Sequence, residues 1–145
     1  MTKAVEDGDG QAVAACFTKD GMYHDVFYGA FKGPDIADMV DNYFHRDGTN
    51  FLWDLHDPVE QNGIGYVRYV FSYESKMDNA IGKRVVFEGV GICRMDGDLI
   101  ADYCEVANAA VGLLALGLPA DRVAKFAAKQ GLELNAREEA KSHIG

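Results

Sequence analysis

Between Asn50 and Val106 the chain holds four segments in which apolar and polar residues largely alternate: Asn50 to Val59, Gly63 to Lys76, Lys83 to Met95 and Leu99 to Val106. A period of two sends successive side chains to opposite faces, so each segment reads as a strand. The separators are turn chemistry. Gln61-Asn62-Gly63 and Met95-Asp96-Gly97-Asp98 are hairpin signals, and Asp78 to Gly82 makes a longer polar loop. Connections this short cannot return a chain for parallel pairing, which predicts an antiparallel meander of four long strands.

The flanks have helical spacing. Ala12, Val13, Ala15, Cys16 and Phe17 predict a short helix from Gly10 to Phe17, stopped by a turn at Lys19-Asp20-Gly21. Met22 to Tyr28 follows as a short aromatic strand. Gly33-Pro34 then opens a second helix bearing Ile36, Val40, Tyr43 and Phe44 on one face and ending near Asp47-Gly48. After the strands the chain returns to helix at Ala107 to Leu116 and at Arg122 to Gln130, the latter ended by Gly131. Asn135 and Glu138 have the spacing of a capping box for a last short helix. Helices, a run of strands and a helical tail make an α+β domain.

With 145 residues, 48% of them hydrophobic and 26% charged, the chain suits one domain with one core. Fourteen basic against 23 acidic residues leave a formal charge of -9, which argues against nucleic acids and anionic membrane surfaces as partners. No apolar run approaches the roughly 18 residues of a membrane span, and Met1-Thr2-Lys3-Ala4 has no signal-peptide core. Cys16, Cys93 and Cys104 lack CxxC spacing and read as buried thiols in a reducing compartment, so the expected location is cytoplasmic. His24, His45, His56 and His143 are scattered, with no spacing for a metal site, and no cofactor motif is present.

Strand alternation gathers the aromatic residues. Tyr23 and Asp25 share a face with His24 opposite, Val67, Tyr69, Phe71 and Tyr73 share another, and Val85, Phe87, Gly89, Gly91 and Cys93 a third. Ala101, Tyr103 and Glu105 share a fourth, and the cluster of Tyr23, Asp25, Phe51, Trp53, Tyr69, Phe71, Tyr73, Phe87, Tyr103 and Glu105 predicts an apolar pocket containing two carboxylates, the usual form of a small-molecule site. Gly89 and Gly91 leave room on the inner face. A carboxylate in such surroundings loses hydration and its pKa rises toward neutrality, which suits Asp25 to accept a proton. A structural role, in which Asp25 caps a turn or pairs with a basic residue at the rim, is equally open.

Several strings in order resemble the SnoaL-like and nuclear transport factor 2-like proteins. They are Gly8-Asp9, the run from Phe17 to Asp25, Gly29-Ala30-Phe31-Lys32-Gly33, the run from Val90 to Gly97, and Asp102-Tyr103-Cys104-Glu105. The resemblance spans roughly Gly8 to Glu105. It implies a cone in which a curved meander sheet wraps around helices, with a core at about residues 8–106, a helical tail at 107–145, and a homodimer. The first helix of the pattern is missing or cut short here, since only about a turn precedes Gly8. Asp25 stands where the steroid isomerases of this superfamily carry their general base, but their oxyanion tyrosine would lie in that first helix and their second donor falls at Gly91. Compared with limonene epoxide hydrolase, Tyr23, Asp25 and Glu105 match polar positions of its motif, while its Arg-x-Asp is replaced by Tyr69-Val70-Phe71. The resemblance thus implies cofactor-independent acid/base chemistry of an isomerase, cyclase or hydrolase-like kind. Asp25, Glu105 and Tyr23 would be the reacting groups, and Trp53, Tyr69, Phe71, Tyr73, Phe87 and Tyr103 the wall for a small apolar or aromatic ligand. A non-catalytic ligand-binding or dimerisation module is the alternative.

Overall fold

The computed structural model describes residues 1–145. Two short helices, α1 (Thr2–Asp7) and α2 (Gly10–Ala14), lead into β1 (Phe17–Asp25) and β2 (Gly29–Lys32). Next come α3 (Asp35–Met39), a wider π-helical turn at Val40–Phe44, and α4 (His45–Asp47). The long strands are β3 (Gly48–Gln61), β4 (Ile64–Ser75), β5 (Arg84–Asp96) and β6 (Leu99–Ala107). The tail holds α5 (Ala109–Ala115), α6 (Ala120–Asn135), a 3-10 turn at Glu138–Ala140 and α7 (Lys141–Ile144).

All six strands form one sheet in the order β2-β1-β6-β5-β4-β3. The β3 to β6 meander is antiparallel throughout, as the turn chemistry predicts. Its first hairpin turns on Asn62 and Gly63, with φ of 55° and 76°, the left-handed pair that matches strand twist. β1 joins the other side of β6 in parallel, and β2 folds back on β1. The register of β3 slips between Thr49 and Leu52 and again between His56 and Val59, at Asn50 and Asp57, whose φ values are positive. Such bulges bend a strand and increase its twist, and here they curl the sheet into an open cone.

The helices α1 to α4 fill one side of the concave face. Val5, Val13, Ile36, Met39 and Val40 are fully buried there with Tyr23 and Tyr103. The helix read as missing or cut short is present as the six-residue α1, closed by left-handed Gly8. It is tied down at two points: the backbone N–H of Trp53 donates to the Glu6 carboxylate at 2.7 Å, and His45 Nε2 donates to the Val5 carbonyl at 2.8 Å.

Some boundaries differ from the sequence reading. Lys19-Asp20-Gly21 lies within β1, where the register with β6 slips between Phe17 and Met22, so a bulge stands where a turn is predicted. The strand stops at Asp25, because Asp25 itself turns the chain at Val26 to Tyr28. The four-residue β2 carries no apolar alternation and is mostly exposed, which hides it from a periodicity argument. Gly131 does not end α6, since it projects into open space and costs only helix propensity. The capping box is not formed: Asn135 is the last residue of α6, and Arg137 opens the next turn without a side-chain bond. The three cysteines are free and only partly buried.

The tail packs across the rest of the concave face. At Gly112 the α5 backbone lies directly on the Phe87 ring, and a side chain there would overlap it. Phe27, after β1, stacks on Phe126 of α6 with centroids 5.5 Å apart and meets Phe87 edge-on at 5.3 Å. No helix is long and apolar enough to cross a membrane.

Candidate functional site

The parallel pairing of β1 and β6 sets Tyr23 beside Tyr103, and two residues further along each strand stand Asp25 and Glu105. Alternation points all four away from the outer surface. His24, between them, faces out and meets Asp102 at 3.1 Å. On the other side of β6, Glu105 is paired with Gly91, and Gly89 is paired with Tyr69 of β4.

These two glycines do not leave empty room. A Cβ at Gly89 would stand 2.5 Å from the Tyr69 hydroxyl, and one at Gly91 would stand 3.1 Å from the Tyr103 hydroxyl. The missing side chains let both rings lie flat over β5 and reach the same carboxylate. The Tyr69 hydroxyl donates to Glu105 Oε2 at 2.7 Å and that of Tyr103 at 3.3 Å.

Asp25 is held differently. Its Oδ1 accepts the backbone N–H of Phe27 and of Tyr28, each at 2.8 Å, leaving Oδ2 without a protein donor. The turn-capping role left open by the sequence is thus present, and the residue lines a cavity as well. Burial raises the Asp25 pKa from 3.8 to about 6 against the pull of the two N–H donors. Burial, and next the charge of Asp25, raise Glu105 from 4.5 to about 7, against the two tyrosine bonds. The Tyr23 hydroxyl is fully buried and has no partner, and neither has the Trp53 indole nitrogen.

The cavity has a volume of about 200 Å³ and 19 lining residues, of which 16 are hydrophobic; the other three are Asp25, Asp47 and Glu105. Asp47, near the end of the helical stretch, is already paired. It accepts the Tyr28 hydroxyl at 2.8 Å and two bonds from Arg46 at 2.6 and 2.7 Å, and Arg46 holds its pKa below the ordinary value. No group of three or more His, Cys, Asp or Glu residues is placed to hold a metal ion.

Of the residues singled out in the sequence, Tyr23, Asp25, Phe51, Trp53, Tyr69, Phe71, Tyr73, Phe87 and Glu105 share this cavity. Tyr103 does not line it. Its ring lies 4.6 Å from that of Tyr23 and borders a second cavity of about 190 Å³, where Met1, Leu55, Val67 and Cys93 also contribute and Trp53 and Tyr69 form the shared wall. The sequence reading missed the lining from the turn after β1 (Val26, Phe27, Tyr28), from the helical stretch (Phe44, Asp47) and from the tail (Leu113, Leu116, Leu118). The spacing of Leu113 and Leu116, the residue that caps α5, marks one side of this helix but not the surface that side would cover.

The description "SnoaL-like domain" belongs to the family model that matches residues 1–103. Among curated proteins, none matches. Solved structures of the same fold include a limonene epoxide hydrolase-like epoxide hydrolase of Mycobacterium tuberculosis, 17% identical with a TM-score of 0.63 over 79% of this chain and 82% of that one. A protein of ketosteroid isomerase-like fold from Catenulispora acidiphila, in complex with trimethylamine, is 17% identical with a TM-score of 0.72 over 83% of this chain and 91% of its own. IdmH of Streptomyces antibioticus, a proposed polyketide cyclase, is 14% identical with a TM-score of 0.66 over 81% and 93%. At these identities the likeness is one of fold.

Proposed function

The chain belongs to the SnoaL-like domain family, and from that premise we propose that its cavity takes a small, largely apolar or aromatic molecule and moves a proton on it without a cofactor. Asp25 is the base, through its free Oδ2, Glu105 the second acid/base group, and the Tyr23 hydroxyl the donor to an oxygen of the substrate. The observation that carries this reading is the pair of carboxylates placed in one apolar chamber without a cation, which puts both ionisations near neutral pH. By the resemblance to limonene epoxide hydrolase, Tyr69 and Phe71 would stand where its Arg-x-Asp pair does, and no basic residue lines the cavity, which directs the proposal toward isomerase or cyclase chemistry and away from epoxide opening.

The test is proton exchange in D2O, followed by NMR on a panel of cyclic ketones. The protein should speed deuterium uptake next to the carbonyl, and Asp25→Asn should reduce the rate by about 10²- to 10⁴-fold. No uptake above buffer across the panel, with binding intact, would leave the second reading, a ligand-binding or dimerisation module. That reading is favoured by the Asp25 Oδ1 bonds to the turn, a task that needs no turnover.

We also propose a homodimer formed through the outer face of the sheet, where Leu52, Val86, Val90 and Val106 are exposed in neighbouring registers. Light scattering should give twice the chain mass of 15.9 kDa, and Val90→Lys should return it to one.

A further inference from the structure

We propose that the molecule filling the cavity carries a positive charge: it is a lipophilic amine or quaternary ammonium compound, its cationic head near Asp25 and Glu105 and its body against Trp53, Phe71 and Phe87. This rests on the reading that the cavity is a ligand site, and not on the proton transfer.

The lining holds three carboxylates and no lysine, arginine or histidine. Arg46 compensates Asp47, but no basic side chain bonds Asp25 or Glu105, whose partners are backbone N–H groups and tyrosine hydroxyls. An anionic ligand would bring further negative charge beside two carboxyls that no basic side chain compensates, in a low-dielectric chamber on a chain of formal charge -9, and it is disfavoured. A neutral ligand gains the burial of its surface and at most a hydrogen bond to the free Asp25 Oδ2. A cation gains that burial and also supplies the missing counter-charge.

The wall suits such a guest. Aromatic faces carry partial negative charge, and a cation within about 6 Å of a ring centroid is attracted to it, most strongly by tryptophan. Trp53, Phe71 and Tyr69 are packed at angles, with centroids 5.0 Å apart for Trp53 and Phe71 and 5.7 Å for Trp53 and Tyr69, so that they form adjoining walls and not a flat stack. Tyr23, which borders this chamber, keeps a buried hydroxyl without a partner in the protein. Quaternary ammonium recognition by aromatic cages uses the same physics.

Trp53 is the only tryptophan and stands in the cavity wall, so its fluorescence reports occupancy directly. Three probes of nearly the same shape separate charge from fit: meta-(trimethylammonio)phenol, meta-tert-butylphenol and meta-hydroxybenzenesulfonate. The ammonium compound should bind at least about tenfold more tightly than the tert-butyl compound, a difference of about 1.4 kcal/mol, and the sulfonate should bind worst. Glu105→Gln and Asp25→Asn should each shrink the ratio of ammonium to neutral affinity toward one, with circular dichroism and thermal unfolding showing that the variants are folded; an unchanged ratio in folded variants would overturn the charge assignment. Equal or tighter binding of the neutral probe would overturn the charge assignment and leave the ligand site standing. Failure of all three to bind would overturn both.

Discussion

Glu105→Gln should stabilise the protein above neutral pH. The Glu105 carboxyl ionises at 4.5 in its ordinary state and at about 7 in the fold, because burial and then the Asp25 charge oppose the anion. Between those values the folded chain holds a proton that the unfolded chain has released. The folded state therefore binds more protons, and stability falls as pH rises through the window. At about 1.4 kcal/mol for each pH unit, ionising Glu105 removes about 3 kcal/mol of stability by pH 8. Glutamine removes that loss but brings an amide NH2 that needs an acceptor, which offsets about 1 to 2 kcal/mol. The net expectation is a gain of about 1 to 2 kcal/mol near pH 8, a few degrees in Tm, with little or no gain near pH 4. Urea or thermal unfolding across that range measures it. A variant no more stable than the parent near pH 8, with the same slope against pH, would refute the argument that this carboxylate is held under electrostatic strain.

The unpartnered Tyr23 hydroxyl makes a related prediction. Tyr23→Phe should leave the ligand-free protein as stable or up to about 1 kcal/mol more stable, while slowing proton exchange on the substrate panel. A clear loss of stability would mean that the hydroxyl has a structural partner. For the tail, Gly112→Ala places a methyl into the Phe87 ring and should cost about 1 to 3 kcal/mol, read as a lower midpoint in urea. No change would mean that α5 is free to lift off β5.

The parts of this arrangement that the sequence made legible are those set by period and turn chemistry. Tyr23 and Asp25 could be placed on one face, and Tyr69, Phe71 and Tyr73 on another, because alternation along a strand is geometric. The meander followed from Asn62-Gly63 and Asp96-Gly97. Three things were out of reach for physical reasons. The parallel register of β1 on β6, which brings Asp25 to Glu105, depends on pairing between segments some eighty residues apart. The turn at Val26 to Tyr28 depends on which backbone N–H groups the Asp25 side chain captures. The role of Gly89 and Gly91 was legible as space, but not that tyrosines from β4 and β6 would occupy that space.

The same contacts tie the tail to the chemistry of the site. The N–H of Phe27 steadies Asp25 and opposes the rise of its pKa, while the ring of Phe27 lies against Phe126 of α6 and Phe87 of β5. The position of that N–H therefore depends on aromatic packing that only the tail completes. If α6 shifts, Phe27 loses its stacking partner, the turn loosens, and Asp25 gives up one of the two bonds that favour its charged form. Its pKa then moves further up, and a smaller fraction of the base is ionised at neutral pH. The expected consequence is that Phe126→Ala, remote from the carboxylates, displaces the pH profile of proton exchange toward higher pH and does more than lower its height. A profile reduced in height but unmoved along the pH axis would confine the tail to covering the cavity.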